Sequence, residues 1–475
     1  MNPQNKSMCE ANAFELPATI LREYDIRGQI GKNLDENIAF ALGRAFGTFV
    51  RRKTGGSTIC VGYDGRHSSP ALTKALINGL KQTGIAVKNS GLGPTPQLYY
   101  ALKSTEADAG IMVTGSHNPS DYNGFKMALQ NEPVFGATIQ EIGELSKNGD
   151  LDSGEGSEET LDICNSYVSR LMQDLESDHK FNIAWDAGNG AAGNILRMLA
   201  AKLPGTHTLL YDEIDGDFPN HHPDPTVDKN LADLIKTVRE EKCDFGIAFD
   251  GDGDRIGVVD DEGNILRCDI LMTLYAKGVL EKFPGAPIIG DIKCSSVMFE
   301  EIEKMGGKAV MWKTGHSLIK DKMRELNAPL AGELSGHIFF ADKYYGYDDG
   351  LYCAVRLINE VAKSGKKLSD LTRHINNLHS TPEVRFEVNE EEKFDLVPRV
   401  FDALNKDKDN SFEINDIDGV RVTTKDGWWL LRPSNTQSVL VARAESKTEQ
   451  GLSALKSMAV SYVKQIGYTL DFEHS

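Results

Sequence analysis

Short apolar runs alternate with amphipathic segments along most of the chain. The runs Thr58–Tyr63 and Ala109–Val113 are rich in aliphatic residues and end at turn-forming residues, which predicts buried strands. A segment from about Asp35 places Ile38 and Val50 on one face, at the spacing of an amphipathic helix. Strands that alternate with helices in this way indicate an α/β fold.

The order of strand, Gly- or Asp-containing turn, helix and second strand occurs three times, which indicates weak internal duplication. Each second strand leads into a polar loop. These are residues 114–119 (TGSHNP, the serine loop), 250–255 (DGDGDR, the aspartate loop) and 332–337 (GELSGH, the Glu333 loop). Because ligands of open α/β sheets bind beyond strand ends, the three loops are expected to face one cleft.

The last part of the chain has a different pattern. Residues 378–388 and 418–444 are β-rich, with a hairpin turn at 425–427 and a polar interruption at 432–436 (RPSNT, the Arg432 loop). An amphipathic helix follows. This order predicts a separate C-terminal α+β domain.

Length, apolar stretches and cysteine usage indicate the number of domains and the cellular compartment. A chain of 475 residues is too long for one core, so three or four domains are expected. No apolar stretch is long enough to span a membrane, and residues 1–12 lack the apolar core of a signal peptide, so we expect a cytoplasmic protein. The seven cysteines form no C-x-x-C pair, which fits a reducing compartment.

The formal net charge of −18 argues against nucleic acid and anionic membranes as partners, since both require a basic surface. An anionic ligand would therefore need positive charge concentrated locally.

Ser116 has two interpretations. Loop statistics favour a simple turn residue, because Gly115 and Asn118-Pro119 are turn formers. The alternative is a nucleophile or phosphate carrier, which requires partners elsewhere in the chain. A hydrolase elbow, G-x-S-x-G, is excluded because Thr114 and Asn118 occupy the glycine positions.

Asp250, Asp252 and Asp254 alternate with glycines, so in extended geometry three carboxylates point the same way. Oxygen-only ligands favour Mg²⁺ or Ca²⁺ over zinc. An EF-hand would need glycine where Arg255 stands, and helices rather than β-rich flanks. An acidic surface turn is the remaining alternative.

Two further loops carry weaker signals. Arg432 with its neighbouring hydroxyl, amide and backbone donors suits a tetrahedral phosphate, although a structural turn explains the same residues as well. Glu333, Ser335 and His337 suit sugar hydroxyls.

These four loops, in this order and together with residues 23–28 (EYDIRG), resemble the α-D-phosphohexomutase family, most closely its bacterial phosphomannomutase/phosphoglucomutase branch. The resemblance covers nearly the whole chain. It implies three similar α/β domains with mixed sheets and a C-terminal α+β domain that is TATA-binding-protein-like. The expected boundaries are 1–162 (domain I), 163–264 (domain II), 265–377 (domain III) and 378–475 (domain IV).

The resemblance also implies an isomerase that interconverts mannose 1- and 6-phosphate, and glucose 1- and 6-phosphate. Ser116 would be carried as phosphoserine and would hold Mg²⁺ together with the three aspartates of the aspartate loop. Glucose 1,6-bisphosphate would be the intermediate and activator. Lys126 is the candidate acid and base, and Arg27 would lie beside the transferred group.

The family motifs assign further positions to the substrate. These are Tyr24, Arg255, Lys293, His316, Glu333, Ser335, His337, Arg432, Ser434, Asn435 and Thr436. Glu333 and Ser335 would bind the 3- and 4-hydroxyls that glucose and mannose share, and the Arg432 loop would hold the unreactive phosphate. We expect hexose phosphates as the partners of a monomer.

Three alternatives stay open: a phosphoglucosamine mutase, a sugar-phosphate phosphatase and a non-catalytic phosphosugar sensor. Leu334 counts against the first, since those mutases typically have Gln there, whereas the dual-specificity branch usually has Met. The filled catalytic positions disfavour the sensor.

Overall fold

A computed structural model describes residues 13–130, 132–375, 378–389, 391–407, 411–434 and 439–472. The chain forms two compact units. The first unit comprises the chain up to Leu266 together with Ser335–Leu368, and the second comprises Arg267–Leu334 together with the chain from Ser369. The predicted domain boundaries themselves stay a prediction.

The first unit begins with a six-stranded mixed sheet. Its elements are a 3₁₀ helix (Ala18–Ile20), β1 (Ile26–Gln29), α1 (Glu36–Thr54), β2 (Thr58–Tyr63), α2 (Ser69–Lys81), β3 (Ala86–Leu92), α3 (Thr95–Ser104), β4 (Ala109–Val113), β5 (Tyr122–Leu129), α4 (Ala137–Asn148) and β6 (Ser157–Thr160). The strand order is β1-β5-β4-β2-β3-β6. β1, β5 and β4 pair antiparallel, whereas β4, β2, β3 and β6 pair parallel.

A second mixed sheet follows in the same unit. Its elements are α5 (Cys164–Gln173), β7 (Phe181–Asp186), α6 (Gly193–Ala200), β8 (Gly205–Leu210), a 3₁₀ helix (Asp228–Leu231), α7 (Ala232–Glu240), β9 (Phe245–Phe249), β10 (Ile256–Asp260) and β11 (Ile265–Leu266). The order is β11-β10-β9-β7-β8, with β9, β7 and β8 parallel and the other pairs antiparallel.

The second unit begins with three parallel strands. Its elements are α8 (Cys268–Lys282), β12 (Pro287–Asp291), α9 (Ser296–Lys304), β13 (Lys308–Trp312), α10 (His316–Leu326) and β14 (Leu330–Gly332). β12 lies between β13 and β14. The chain then returns to the first unit through β15 (Ile338–Phe340) and α11 (Gly350–Ser364), which packs against β9, β10 and α5. α12 (Leu368–Thr372) follows.

The C-terminal part of the second unit is an antiparallel sheet with two helices. Its elements are β16 (His379–Ser380), β17 (Val384–Glu387), α13 (Lys393–Lys406), β18 (Glu413–Asn415), β19 (Val420–Thr424), β20 (Gly427–Pro433), β21 (Val439–Ser446) and α14 (Glu449–Gln465). The order is β16-β21-β20-β19-β18, and β17 also pairs with β21. The predicted fold class, α/β sheets followed by an α+β domain, is confirmed.

Buried polar contacts join the two parts of the second unit. Arg421 donates to the carbonyls of Ile292 (2.5 Å) and Cys294 (2.8 Å). Glu445 accepts hydrogen bonds from Ser295 Oγ and Trp428 Nε1, each at 2.8 Å. Buried charged groups that are paired in this way fix one packing arrangement, because an unpaired alternative is costly.

Local sequence explains where the key elements begin and end. The side chain of Asp35 caps α1 by accepting from the backbone N–H of Asn37 and Ile38, each at 2.9 Å. β4 and β9 are buried at every position, as expected for strands covered on both faces. The serine loop leaves the carboxyl end of β4, and the aspartate loop leaves that of β9. Among the described residues, no helix is both long and apolar enough to span a membrane.

Candidate active site

The serine loop and the aspartate loop meet in the first unit. Ser116 is 1% exposed, and its Oγ donates a hydrogen bond of 2.8 Å to Oδ2 of Asp250. A Cβ atom at Gly251 would lie 2.3 Å from the carbonyl oxygen of Ser116, so only glycine permits this approach. Ser116 itself adopts a left-handed φ of +48°, a conformation that costs a non-glycine residue about 1 kcal/mol or more.

The three aspartates of the aspartate loop are fully buried, and their carboxylate oxygens lie within 4.8 Å of one another. Burial, together with the carboxylates of Asp254 and Asp252, raises the pKa of Asp250. Burial and Asp252 likewise raise the pKa of Asp254. Within the described chain, Oδ1 of Asp252 and Oδ1 of Asp254 accept no hydrogen bond. Buried, unsatisfied carboxylate oxygens in one cluster fit a divalent cation of the Mg²⁺ type.

Lys126 on β5 supplies a cation to this cluster. Its Nζ lies 2.7 Å from Asp252 Oδ2 and 2.5 Å from Asp254 Oδ2. Burial disfavours the charge of Lys126, but the two carboxylates outweigh it and raise its pKa well above the usual value. Burial also raises the pKa of Asp252, but the Lys126 cation outweighs this effect and lowers it. The two carboxylates therefore favour the protonated form of Lys126.

Arg27 on β1 reaches the serine loop from the neighbouring strand. Its Nη1 donates to Asn118 Oδ1 at 3.0 Å, and its Nη2 pairs with Asp25 Oδ2 at 2.6 Å. Arg27 Nε is buried and has no hydrogen-bond partner among the described residues. The Nε donor of Arg27 is therefore available to an anion beside Ser116.

Arg255 and His337 form a third group at the aspartate loop. Arg255 Nε donates to His337 Nε2 at 3.0 Å, while His337 Nδ1 lies 2.9 Å from Asp348 Oδ2 and 3.5 Å from Asp254 Oδ1. Donation to Nε2 places the ring proton of a neutral imidazole on Nδ1, where it faces the carboxylates. Ser335, three residues after β14, is half-buried in the same unit. The structure therefore brings this part of the Glu333 loop to the other two loops, as expected.

Several residues that support this site were not identified from the sequence. Thr95, at the start of α3, donates from its Oγ1 to Asp252 Oδ2 at 2.5 Å. His117 Nδ1 lies 3.2 Å from Ser116 Oγ, and burial, reinforced by nearby cations, lowers its pKa well below the usual value. Asp348 comes from a segment without a recognisable motif. The contact between Thr95 and Asp252 spans 157 residues, so no local pattern shows it, whereas His117 directly follows Ser116 in the serine loop.

In the second unit, the predicted positions Lys293 and Glu333 lie near Asp291. Lys293 Nζ lies 3.0 Å from Glu383 Oε1 and 3.6 Å from Asp291 Oδ2. Burial disfavours the charge of Lys293, but these carboxylates raise its pKa. Glu333 accepts a hydrogen bond from the backbone N–H of Gly315, and Asp291 accepts one from Leu334 at 3.2 Å. The Glu333 carboxylate is thus held at the N-terminus of α10.

Arg432 is fixed by a carboxylate rather than exposed to solvent. Its Nε and Nη2 donate to the two oxygens of Asp418 at 3.1 and 3.3 Å, and Asp418 Oδ2 also accepts from Thr314 N at 3.0 Å. Ser434 is buried, and its N–H donates to the carbonyl of Val439. Tyr24 in the first unit and His316 in the second are half-buried. The remaining predicted positions, Asn435 and Thr436, lie outside the described residues.

Comparison with protein families matches four consecutive parts of the chain. Residues 18–152, 165–263 and 267–378 match the α/β/α domains I, II and III of phosphoglucomutase/phosphomannomutase, and residues 383–461 match its C-terminal domain. Together these matches cover most of the chain in the family order.

Individual proteins are similar over nearly their whole length. A phosphomannomutase/phosphoglucomutase of Pseudomonas aeruginosa is 44% identical over 464 residues, which cover 98% of this chain and 99% of that protein. A phosphoglucomutase of Neisseria gonorrhoeae is 40% identical over 92% of this chain and 95% of its own. The crystal structure of a phosphoglucomutase/phosphomannomutase family protein from Burkholderia thailandensis superposes with a TM-score of 0.89, at 40% identity over 95% of this chain and 98% of that one.

Proposed function

Since the chain belongs to the α-D-phosphohexomutase family and is a hexose-phosphate mutase, an isomerase, we propose that Ser116 carries the phosphoryl group and that both glucose and mannose phosphates are substrates. A 1-phosphate becomes a 6-phosphate through a hexose 1,6-bisphosphate. Glucose 1,6-bisphosphate then serves both as the intermediate and as the activator that charges Ser116.

One observation carries this proposal. The buried Ser116 hydroxyl lies 2.8 Å from Asp250. In the same cluster, Asp252 and Asp254 each have an oxygen that accepts no hydrogen bond from the described residues, and Lys126 Nζ lies 2.7 Å from Asp252. A turn serine requires none of these partners. Positioning and electrostatic stabilisation are the main requirements of phosphoryl transfer.

The three aspartates of the aspartate loop and an oxygen on Ser116 would hold Mg²⁺, which when bound supplies positive charge to the transferring group. The side chains of Ser116 and Lys126 carry out the phosphoryl and proton transfers. When phosphoserine reacts, the Ser116 Oγ–P bond breaks and a bond forms between phosphorus and O6 of the hexose 1-phosphate. Lys126 gives its proton to Oγ and recovers one from the 6-hydroxyl, so that its charge is restored.

Cations beside Ser116 offset the negative charge of the substrate. Arg27 Nε has no hydrogen-bond partner among the described residues, Arg255 Nε donates to His337, and His337 Nδ1 lies 2.9 Å from Asp348 Oδ2. A chain with net charge −18 thus concentrates positive charge where an anion reacts.

The other predicted positions are proposed to recognise the substrate. Glu333 is proposed to bind the sugar 3- and 4-hydroxyls together with Ser335, and Lys293 and His316 to contact the substrate. Arg432 and Ser434, with Asn435 and Thr436, are proposed to bind the unreactive phosphate. Tyr24 is the last proposed substrate contact. Because the two hexoses differ only at C2, groups that read the 3- and 4-hydroxyls accept both.

A coupled assay tests the function. We expect glucose 1-phosphate and mannose 1-phosphate to yield their 6-phosphates with Mg²⁺ and a trace of glucose 1,6-bisphosphate, and glucosamine 1-phosphate to react poorly. Release of inorganic phosphate in step with substrate loss would instead identify a sugar-phosphate phosphatase.

A further inference from the structure

Arg66 is a buried arginine that takes no part in the proposed transfer step. It follows β2, its residue exposure is 1%, and its guanidinium lies directly behind the serine loop. It carries five N–H donors, and each has an acceptor. Nη2 donates to the carbonyls of Ser116 (2.8 Å) and Asn118 (2.6 Å), and Nη1 to those of Pro119 (2.5 Å) and Tyr122 (3.0 Å).

The fifth donor, Nε, contacts Asp64 Oδ2 at 3.2 Å. Asp64 in turn binds donors of the serine loop. The same oxygen, Oδ2, accepts hydrogen bonds from Thr114 Oγ1 (2.8 Å) and from Gly115 N (3.0 Å). Thr114 Oγ1 then accepts from Ser116 N at 2.8 Å. The N–H of Gly115 is therefore tied to Asp64 and that of Ser116 to Thr114. Four carbonyls are tied to Arg66, those of Ser116, Asn118, Pro119 and Tyr122.

The full use of the Arg66 donors excludes a role in substrate binding and indicates a role in holding the serine loop. With all five donors used by the protein, Arg66 has none left for a substrate phosphate, unlike Arg27. Its planar fork binds four carbonyls, and Ser116, which provides one of them, adopts a left-handed φ of +48°. A Cβ at Gly115 would lie 2.4 Å from Arg66 Nε, so the loop backbone closes directly on the guanidinium.

We propose that Arg66 is a positioning residue that sets the location of Ser116 Oγ relative to the aspartate loop, and thereby the rate at which Ser116 gains and loses a phosphoryl group. The proposal rests on the proposed function. The carbonyl of Ser116 is both the acceptor for Arg66 and the atom that packs on Gly251, so a displaced guanidinium moves the serine away from Asp250. Arg66 contacts Ser116 only through its backbone carbonyl, and none of its hydrogen bonds reaches Asp250, Asp252, Asp254 or a proposed substrate-binding residue.

The reaction that tests it is transfer from glucose 1,6-bisphosphate to dephosphorylated Ser116. A phosphorus–oxygen bond of the sugar breaks, a bond to Ser116 Oγ forms, and the serine proton ends on the departing sugar oxygen, giving a hexose monophosphate. Intact-mass spectrometry after rapid quenching follows the phosphoenzyme directly. Four proteins are compared: wild type, Arg66→Lys, Arg66→Gln and a control variant. Arg44→Lys replaces another buried arginine of the first unit as a matched control.

A lysine keeps the charge but presents its donors from one point, so it cannot bind four carbonyls at once. We expect Arg66→Lys and Arg66→Gln to slow phosphorylation of Ser116 at saturating bisphosphate by at least about 100-fold, the scale of a 1 Å misplacement. The KM should change less than about threefold, as should the Kd for Mn²⁺, because the three aspartates and the proposed substrate-binding side chains do not contact Arg66. Arg44→Lys should react like wild type.

Two results would overturn the proposal: a phosphorylation rate of the Arg66 variants within about threefold of wild type, or failure of both variants to fold, which would make Arg66 a residue of folding only. Failure of the proposed function looks different, since wild type itself would then not be phosphorylated at Ser116.

Discussion

Lys126 Nζ donates to Asp252 Oδ2 at 2.7 Å, inside the carboxylate cluster that is proposed to hold the metal. The lysine thus neutralises part of a buried negative charge while it carries the proton proposed for the transfer step. Its two roles can be separated experimentally.

Lys126→Met should lower kcat by about 10²- to 10⁴-fold, the usual contribution of a positioned acid or base. Calorimetric titration should at the same time show tighter Mn²⁺ binding, because the carboxylates lose the amine that competes for their oxygens. Lys103→Met removes a lysine that donates to the carbonyl of Gln130 and serves as control. Unchanged kcat in Lys126→Met would contradict the assignment.

Metal binding should stabilise the folded protein against thermal unfolding. Mg²⁺ at about 100 times its Kd is expected to stabilise the wild type by about 2.7 kcal/mol, measured as a rise in Tm. Asp254→Asn should lose most of this rise. Asp260→Asn alters a buried carboxylate that caps a turn through Glu262 N and Asn264 N, and should keep it. An equal rise in all three proteins would place the metal elsewhere.

Asp349, which is not one of the proposed reacting groups, should make the stability of the folded state depend on pH. It caps α11 through Tyr352 N (2.9 Å) and accepts from the hydroxyls of Tyr167 and Tyr344, each at 2.8 Å. Burial raises the pKa of Asp349 to about 6, above its usual 3.8. The folded state thus binds this proton more tightly than the unfolded state. The stabilisation of the folded state by protonated Asp349 is therefore complete below about pH 4 and is lost as the pH rises through 6.

Asp349→Asn mimics the protonated side chain. Relative to wild type, its Tm should therefore rise between pH 4 and pH 7, by the equivalent of up to about 3 kcal/mol. Tyr344→Phe removes a donor that favours the carboxylate, so it should move the midpoint of this effect to higher pH. A Tm difference independent of pH would contradict the raised pKa.

Asp418 tests the proposed phosphate site. Asp418→Asn removes the charge that holds Arg432 in a two-point contact, so we expect the KM for glucose 1-phosphate to rise about tenfold, equivalent to roughly 1.4 kcal/mol, with little change in kcat. Asp416→Asn, an exposed neighbour, should leave both parameters unchanged. A fall in kcat alone would assign Asp418 to the chemistry instead.

Local pattern and motif order were sufficient for the fold class, for the position of Ser116 at the end of β4 and for the aspartate loop at the end of β9. They did not reveal Arg66, Thr95 or Asp418. The contact between Arg66 and Ser116 spans 50 residues, that between Thr95 and Asp252 spans 157, and each joins residues that are ordinary in their own segments. Such contacts depend on tertiary packing, which hydrophobic periodicity does not encode.

The division into two units was also unexpected from the sequence. Residues 265–377 read as one repeat, yet the compact grouping changes at Ser335, in the middle of the Glu333 loop. Glu333 therefore belongs to the second unit, whereas Ser335 and His337 belong to the first. Repeat patterns record the local order of strands and helices, not which elements pack together.

The most direct measurement is the covalent state of Ser116. Wild-type protein treated with glucose 1,6-bisphosphate should gain the mass of one phosphoryl group, mapped by peptide sequencing to Ser116, and should lose it when hexose 1-phosphate is added. Ser116→Ala should bind the sugar phosphate but gain no mass and show no turnover. A phosphoryl group on another residue, or an active Ser116→Ala protein, would contradict the phosphoserine mechanism.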